Sequence, residues 1–198
     1  MPAGPREVLA FWLGVRDDDP PDEATVERWF VADRVLDEAI RARFGDRVEE
    51  ALGGGLEPWA EAPRERTALI LLLDQFPRNL HRGDPRSFAG DARALDLVRR
   101  TTPDECRALH PLEHYFVLVP WMHAEDLEAQ RAGEAGFERA IASVPEAFRP
   151  LFEKGLDFAT RHRRVIERFG RFPHRNGVLG RASTPEEVAF LAEHPAGF

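Results

Sequence analysis

Ala68-Leu69-Ile70-Leu71-Leu72-Leu73-Asp74-Gln75-Phe76-Pro77-Arg78-Asn79 is the stretch whose reading decides the fold. From Arg66 to Phe76 the chain is apolar on nearly every side of a helix, the pattern of a helix buried at the centre of a bundle. Pro77, which has no N–H to donate, is expected to end it. Upstream, Pro5 opens a helix carrying Val8, Leu9, Phe11 and Trp12, and Gly14 closes it. Trp29, Phe30, Leu36, Ile40, Phe44, Val48 and Leu52 then share one side of one long helix, or two in series, stopped by Gly53.

Downstream, Asp84-Pro85 reads as a cap and first turn leading to Phe88, Ala92, Leu95 and Val98. Thr102-Pro103-Asp104-Glu105 and Thr184-Pro185-Glu186-Glu187 have the form of capping boxes. Between them, residues 110–119, 124–142 and 145–169 keep helical spacing, and a last helix runs from Pro185 to about Glu193. No segment alternates with period 2 between turn signals. The expectation is an all-α bundle of about eight to nine helices. The 198 residues suit one core and carry no low-complexity linker, so residues 1–198 are read as one domain.

The apolar run Ala68 to Leu73 is too short to cross a bilayer, and no basic-then-apolar leader opens the chain, so a cytoplasmic location is expected. Cys106, the single cysteine, excludes an internal disulfide and cysteine-pair zinc sites. The formal charge of −8 argues against duplex nucleic acid as a partner. That charge is uneven. Lysine occurs once, at Lys154, and between Arg161 and Arg181 there are seven arginines against one acid, a local +6 that leaves −14 for the rest.

Four further stretches accompany the central one. They are Val119-Pro120-Trp121-Met122-His123-Ala124-Glu125-Asp126; Arg168-Phe169-Gly170-Arg171-Phe172-Pro173-His174-Arg175-Asn176; Ser183-Thr184-Pro185-Glu186-Glu187; and the opening Val8-Leu9-Ala10-Phe11-Trp12-Leu13-Gly14. Together they make the chain resemble, over nearly its whole length, a bacterial family designated domain of unknown function 924. The resemblance implies a TPR-like helical fold and no established activity. The family pattern has serine where this chain has Ala124, which removes any mechanism relying on that hydroxyl.

Three clusters carry candidate chemistry. Asp74, at the end of the buried helix, needs a cation or several hydrogen bonds to offset its desolvation, and an arginine pair or a ligand-orienting role are the two readings. His123 and Glu125 suit acid–base work. Pro120 and Trp121 are expected to break the preceding helix, leaving His123 just before the next, where Glu125 and Asp126 favour the dipole. No zincin spacing is present, so no metal is assigned.

In the basic segment, Arg161, Arg164, Arg168 and Arg171 fall on one helical stripe, opposite an apolar face that includes His162. Beyond Gly170, the residues Arg171, His174, Arg175, Asn176 and Arg181 are interleaved with Phe172, Pro173, Val178 and Leu179, a composition that suits a pocket wall presenting guanidinium forks. Phe76-Pro77-Arg78-Asn79 and Phe172-Pro173-His174-Arg175-Asn176 echo each other, so Arg78 and Arg175 are expected to flank one site.

The leading expectation is a polar pocket for a small anionic ligand, a carboxylate or phosphate. Arg78, Asn79, Arg171, Arg175, Asn176, Arg181 and Trp121 would bind it, and His123, His174, Asp74 and Glu125 would be available for proton transfer. Any reaction would be a hydrolysis or group transfer without a covalent intermediate, because none of Ser87, Ser143 or Ser183 sits in a nucleophile elbow and no phosphate-binding glycine loop is present. No cofactor is called for. The competing expectation is a helical module that receives a peptide, for instance by its terminal carboxylate, and catalyses nothing. A third is a purely structural polar cluster.

Overall fold

The structure is a computed structural model that describes residues 2–14 and 19–194. These form ten α-helices and four short 3-10 helices, with no strand among the described residues. In chain order the helices are α1 (Pro5–Leu13), α2 (Glu23–Phe30), α3 (Arg34–Leu52), α4 (Pro63–Leu80), α5 (Asp91–Arg100), α6 (Pro103–Ala108), α7 (Pro111–His123), α8 (Leu127–Ile141), α9 (Arg149–Phe169) and α10 (Pro185–Glu193). The all-α expectation holds. The stretch left open between one helix and two is two, because Asp33 starts α3 afresh by accepting from the Val35 amide at 2.8 Å.

Two helices occupy the centre. In α4 every residue from Arg66 to Pro77 is buried, and in α7 every residue from Leu112 to Pro120. α1, α3, α5 and α7 pack around α4, while α8 and α9 cover α7. α8 and α9 run antiparallel: Gly155 faces the Phe137 ring, Arg163 pairs with Glu134 at 2.6 Å, and Glu167 lies 3.6 Å from Arg131. A smaller apolar cluster of Val165, Ile166, Phe172 and Phe190 joins α10 to the end of α9.

Pro77 does not end α4, and Pro120 does not break α7; both lie inside their helices. Burial on all sides holds each helix through its missing hydrogen bond. The carbonyl four residues before Pro77, that of Leu73, is met by Gly90, where a Cβ would fall 2.1 Å from the oxygen. That close approach is why the segment after α4 breaks at Gly90: Pro85–Phe88 is only a 3-10 turn, and the helix expected from Asp84 begins at Asp91. Both threonine capping boxes form as read. α9 ends at Phe169, with Gly170 left-handed at φ 69°, so Arg171 leaves the helical stripe.

Candidate active site

His123 is the last residue of α7 and Asp74 lies in the last two turns of α4, so the continuation of α7 through Pro120 brings them together. His123 Nδ1 is 2.7 Å from Asp74 Oδ1. Gln75 Nε2 donates to Asp74 Oδ2 at 2.6 Å, and Arg78 Nη1 stands 3.3 Å from Oδ1. Burial alone would raise the Asp74 carboxyl, but Arg78, His123 and Gln75 outweigh it and hold it below the ordinary carboxylate range. Burial, with the Arg78 charge, pushes His123 below its ordinary value despite Asp74. The imidazole is therefore neutral at pH 7, donates from Nδ1 to Asp74, and keeps its lone pair on Nε2.

His123 borders a cavity of about 300 Å3. Trp29, Phe30, Phe158 and Tyr115 supply its aromatic side; Gln75, Arg78, Asn79 and Arg82 supply a polar side. Nε2 of His123 has no hydrogen-bond partner among the described residues and is not sealed from solvent. His162 also lines the cavity; its Nδ1 lies 2.8 Å from the Phe158 carbonyl, and burial pushes it down to about 4.

Arg78 and Arg175 converge as the echo suggested, but on a protein carboxylate. Arg78 donates to Asp91 Oδ2 at 3.0 Å and Arg175 to the same oxygen at 3.2 Å. Both guanidinium groups lie over the Phe88 ring, at 5.8 and 4.6 Å, and Arg175 also lies 4.6 Å over Phe172. Nothing in the sequence marks Asp91 or Phe88 as the meeting point, since that depends on the register of α5 against α4. Asn79 and Arg82 are likewise held by one carboxylate, Asp37, at 2.8 Å each.

The rest of the basic segment forms a clamp of internal ion pairs. Arg171 engages both oxygens of buried Glu187 at 2.7 and 2.8 Å, and Arg181 both oxygens of Glu125 at 2.6 and 2.9 Å. Asn176 bridges them, donating to Glu187 Oε2 at 3.3 Å and accepting from Arg181 Nε at 2.9 Å. Glu187, held down to about 2 chiefly by Arg171, also closes the capping box of α10. Glu125 also accepts from the Phe172 amide at 2.8 Å, and Asp126 caps α8. In the helical part, Arg161 pairs with Asp157 and Arg168 with Glu186 at 2.7 Å.

Thus Gln75, Arg78, Asn79 and His123 line one cavity, with Asp74 buried against His123 and Arg175 adjoining through Asp91. His174 is exposed beside Phe172. Trp121 lies on the other side of α7, against Gly133, where a Cβ would meet it at 2.5 Å. Among the described residues no group of three or more histidine, cysteine, aspartate or glutamate side chains is arranged to hold a metal ion. None of the described helices is long and apolar enough to cross a membrane.

The same architecture is found in a solved structure of a protein of unknown function, ATU0120 from Agrobacterium tumefaciens. It is 35% identical, covers 96% of this chain and 97% of its own, and superposes with a TM-score of 0.75. No curated protein matches the chain. Residues 8–195 match the pattern of a family of bacterial proteins of unknown function, DUF924, and the chain belongs to that family.

Proposed function

We propose that this is a cytoplasmic protein that binds a small molecule with an apolar body and an anionic end in the cavity beside His123, and that His123 and Asp74 give the site acid–base capacity. The observation that carries the reading is His123 Nε2, unpaired at the wall of a cavity of about 300 Å3 while Nδ1 is anchored on Asp74. A general base needs this arrangement, with one nitrogen fixing the tautomer and the other facing the reactant. The ligand's body packs on Trp29, Phe30 and Phe158, and its carboxylate or phosphate meets Arg82, whose Nε and Nη2 hold Asp37 while Nη1 has no partner among the described residues. Arg171, Arg175 and Arg181 act on the ligand only through the frame, because their guanidinium groups are paired with Glu187, Asp91 and Glu125. Among the described residues no serine, threonine or cysteine lines the cavity, so the chemistry suited to it is attack by a water or substrate hydroxyl activated by His123, without an enzyme ester.

A thermal-shift screen of aromatic and aliphatic carboxylates and phosphates tests the reading on wild type, His123→Gln and Arg82→Gln. A ligand at about 100 times its Kd stabilises the native state by about 2.7 kcal/mol. The expected result is a hit weakened in both variants; hits indifferent to both would overturn it. The peptide-module alternative draws on Phe30 and Val31, which are 49% and 52% exposed close to the cavity. It takes over if the screen is empty and a peptide array binds in a Phe30-dependent way.

A further inference from the structure

A second cavity, of about 390 Å3, lies on the opposite side of α7 from His123. The helical repeat makes the division. His114, Val117, Leu118 and Trp121 follow i, i+3, i+4 and i+7 along α7 and face this cleft, whereas Tyr115, Val119 and Met122 face the His123 cavity. α5, α6 and α8 supply the remaining walls.

Two independent features distinguish the cleft from a packing gap. The first is His114. The residue is only 6% exposed, its ring packs edge-on to Phe152 at 5.5 Å, it lines the cleft, and its ring nitrogens make no hydrogen bond among the described residues. A ring so placed is free to exchange a hydrogen bond with a molecule in the cleft. Burial and the nearby Arg107 push it down to about 4, so it offers one N–H and one lone pair. The second feature is charge. Arg99, Arg107 and Arg139 line the cleft. Arg99 is 3.5 Å from Asp96 and lies 5.9 Å over the Trp121 ring, and Arg107 pairs with Asp104. Arg139 has no acidic partner among the described residues, and its Nη2 folds back to 3.9 Å from where a Cβ on Gly136 would sit.

We propose that the cleft between α5–α6 and α7–α8 binds a small monoanionic amphiphile, an aryl or alkyl carboxylate, with its carboxylate between Arg139 and the His114 N–H and its apolar body on Leu118 and Trp121. The size falls in the range of small-molecule sites. Arg99 and Arg107 are engaged by Asp96 and Asp104, so Arg139, which has no acidic partner among the described residues, leaves one positive charge to match a single negative one. The site is independent of the one proposed beside His123.

The test uses 3-phenylpropionate and its uncharged analogue 3-phenylpropanamide, followed by NMR of the Trp121 indole and the histidine ring protons. The expected result is saturable movement of Trp121 and His114 with the carboxylate, an unmoved His123, and little response to the amide. Arg139→Gln, an exposed position, should weaken binding about fivefold. Ala132→Phe, which fills the cleft, should abolish it. No saturable shift, equal binding of the amide, wild-type affinity in Arg139→Gln, or shifts centred on His123 would each overturn the assignment. Should Ala132→Phe fail to fold by circular dichroism, Arg139→Gln and the amide decide.

Discussion

His123 Nδ1 lies 2.7 Å from Oδ1 of Asp74, joining residues 49 positions apart across the two most buried helices of the protein. The contact decides the tautomer: a carboxylate held ionised by Arg78 accepts only a proton-bearing nitrogen, so Nδ1 carries the hydrogen. Long-range 15N–1H correlation at pH 7 should find His123 neutral and protonated at Nδ1. A spectrum showing the Nε2–H form would contradict the proposed base.

Asp74 is fully buried and ties Gln75, Arg78 and His123. Removing one member of such a cluster leaves the others desolvated and unpaired. Asp74→Ala should therefore cost about 3–5 kcal/mol, read from the urea midpoint at constant m-value. His123→Gln, which leaves the Arg78 pair intact, should cost clearly less.

Arg175 is sandwiched between Phe88 and Phe172 while it reaches Asp91. A flat guanidinium can stack and donate at once; an ammonium cannot. Arg175→Lys should thus recover little of the loss seen in Arg175→Ala, about 2–4 kcal/mol. Near-complete rescue by lysine would show that charge alone matters there.

Gly90 has φ −94°, an ordinary value, so its constraint is steric and not conformational. Gly90→Ala places a Cβ against the Leu73 carbonyl and should destabilise by about 1–3 kcal/mol or more. Gly45, where a Cβ would meet nothing within 4 Å, is the control: Gly45→Ala inside α3 should be neutral or stabilising.

Burial pushes both His114 and His162 down to about 4 from 6.5. Folded values below the unfolded one mean that the unfolded chain binds more protons, so stability is full above pH 6.5 and falls as the pH drops towards 4. Each group contributes a slope of about 1.4 kcal/mol per pH unit within that window. Urea unfolding between pH 4.5 and 7 should show the fall, and His114→Gln should reduce its slope.

Helix positions were legible because they depend on near neighbours. The caps at Thr102 and Thr184, the all-round apolar faces before Pro77 and Pro120, and Gly170 act within a few residues of themselves. The same locality explains the two misread prolines. A proline penalises a helix by a few kcal/mol, and whether the helix continues depends on how much surface it buries further on. Asp74, Arg78 and His123 stood out in sequence as candidates, but their convergence needed α7 to run through Pro120.

By itself, the sequence determined an all-helical chain with a buried α4, its capping boxes and a basic segment within an acidic whole. Only the tertiary structure decided what that segment's charge does. Arg168, Arg171, Arg175 and Arg181 reach Glu186, Glu187, Asp91 and Glu125, carboxylates outside the segment, so much of the local +6 goes into internal ion pairs. The physical reason is range. Helix formation is settled over a turn or two, whereas the partner of a guanidinium is chosen by which distant carboxylate the packed helices bring within 3 Å. For the same reason one face of α7 met His123's cavity and the other met the cleft of His114.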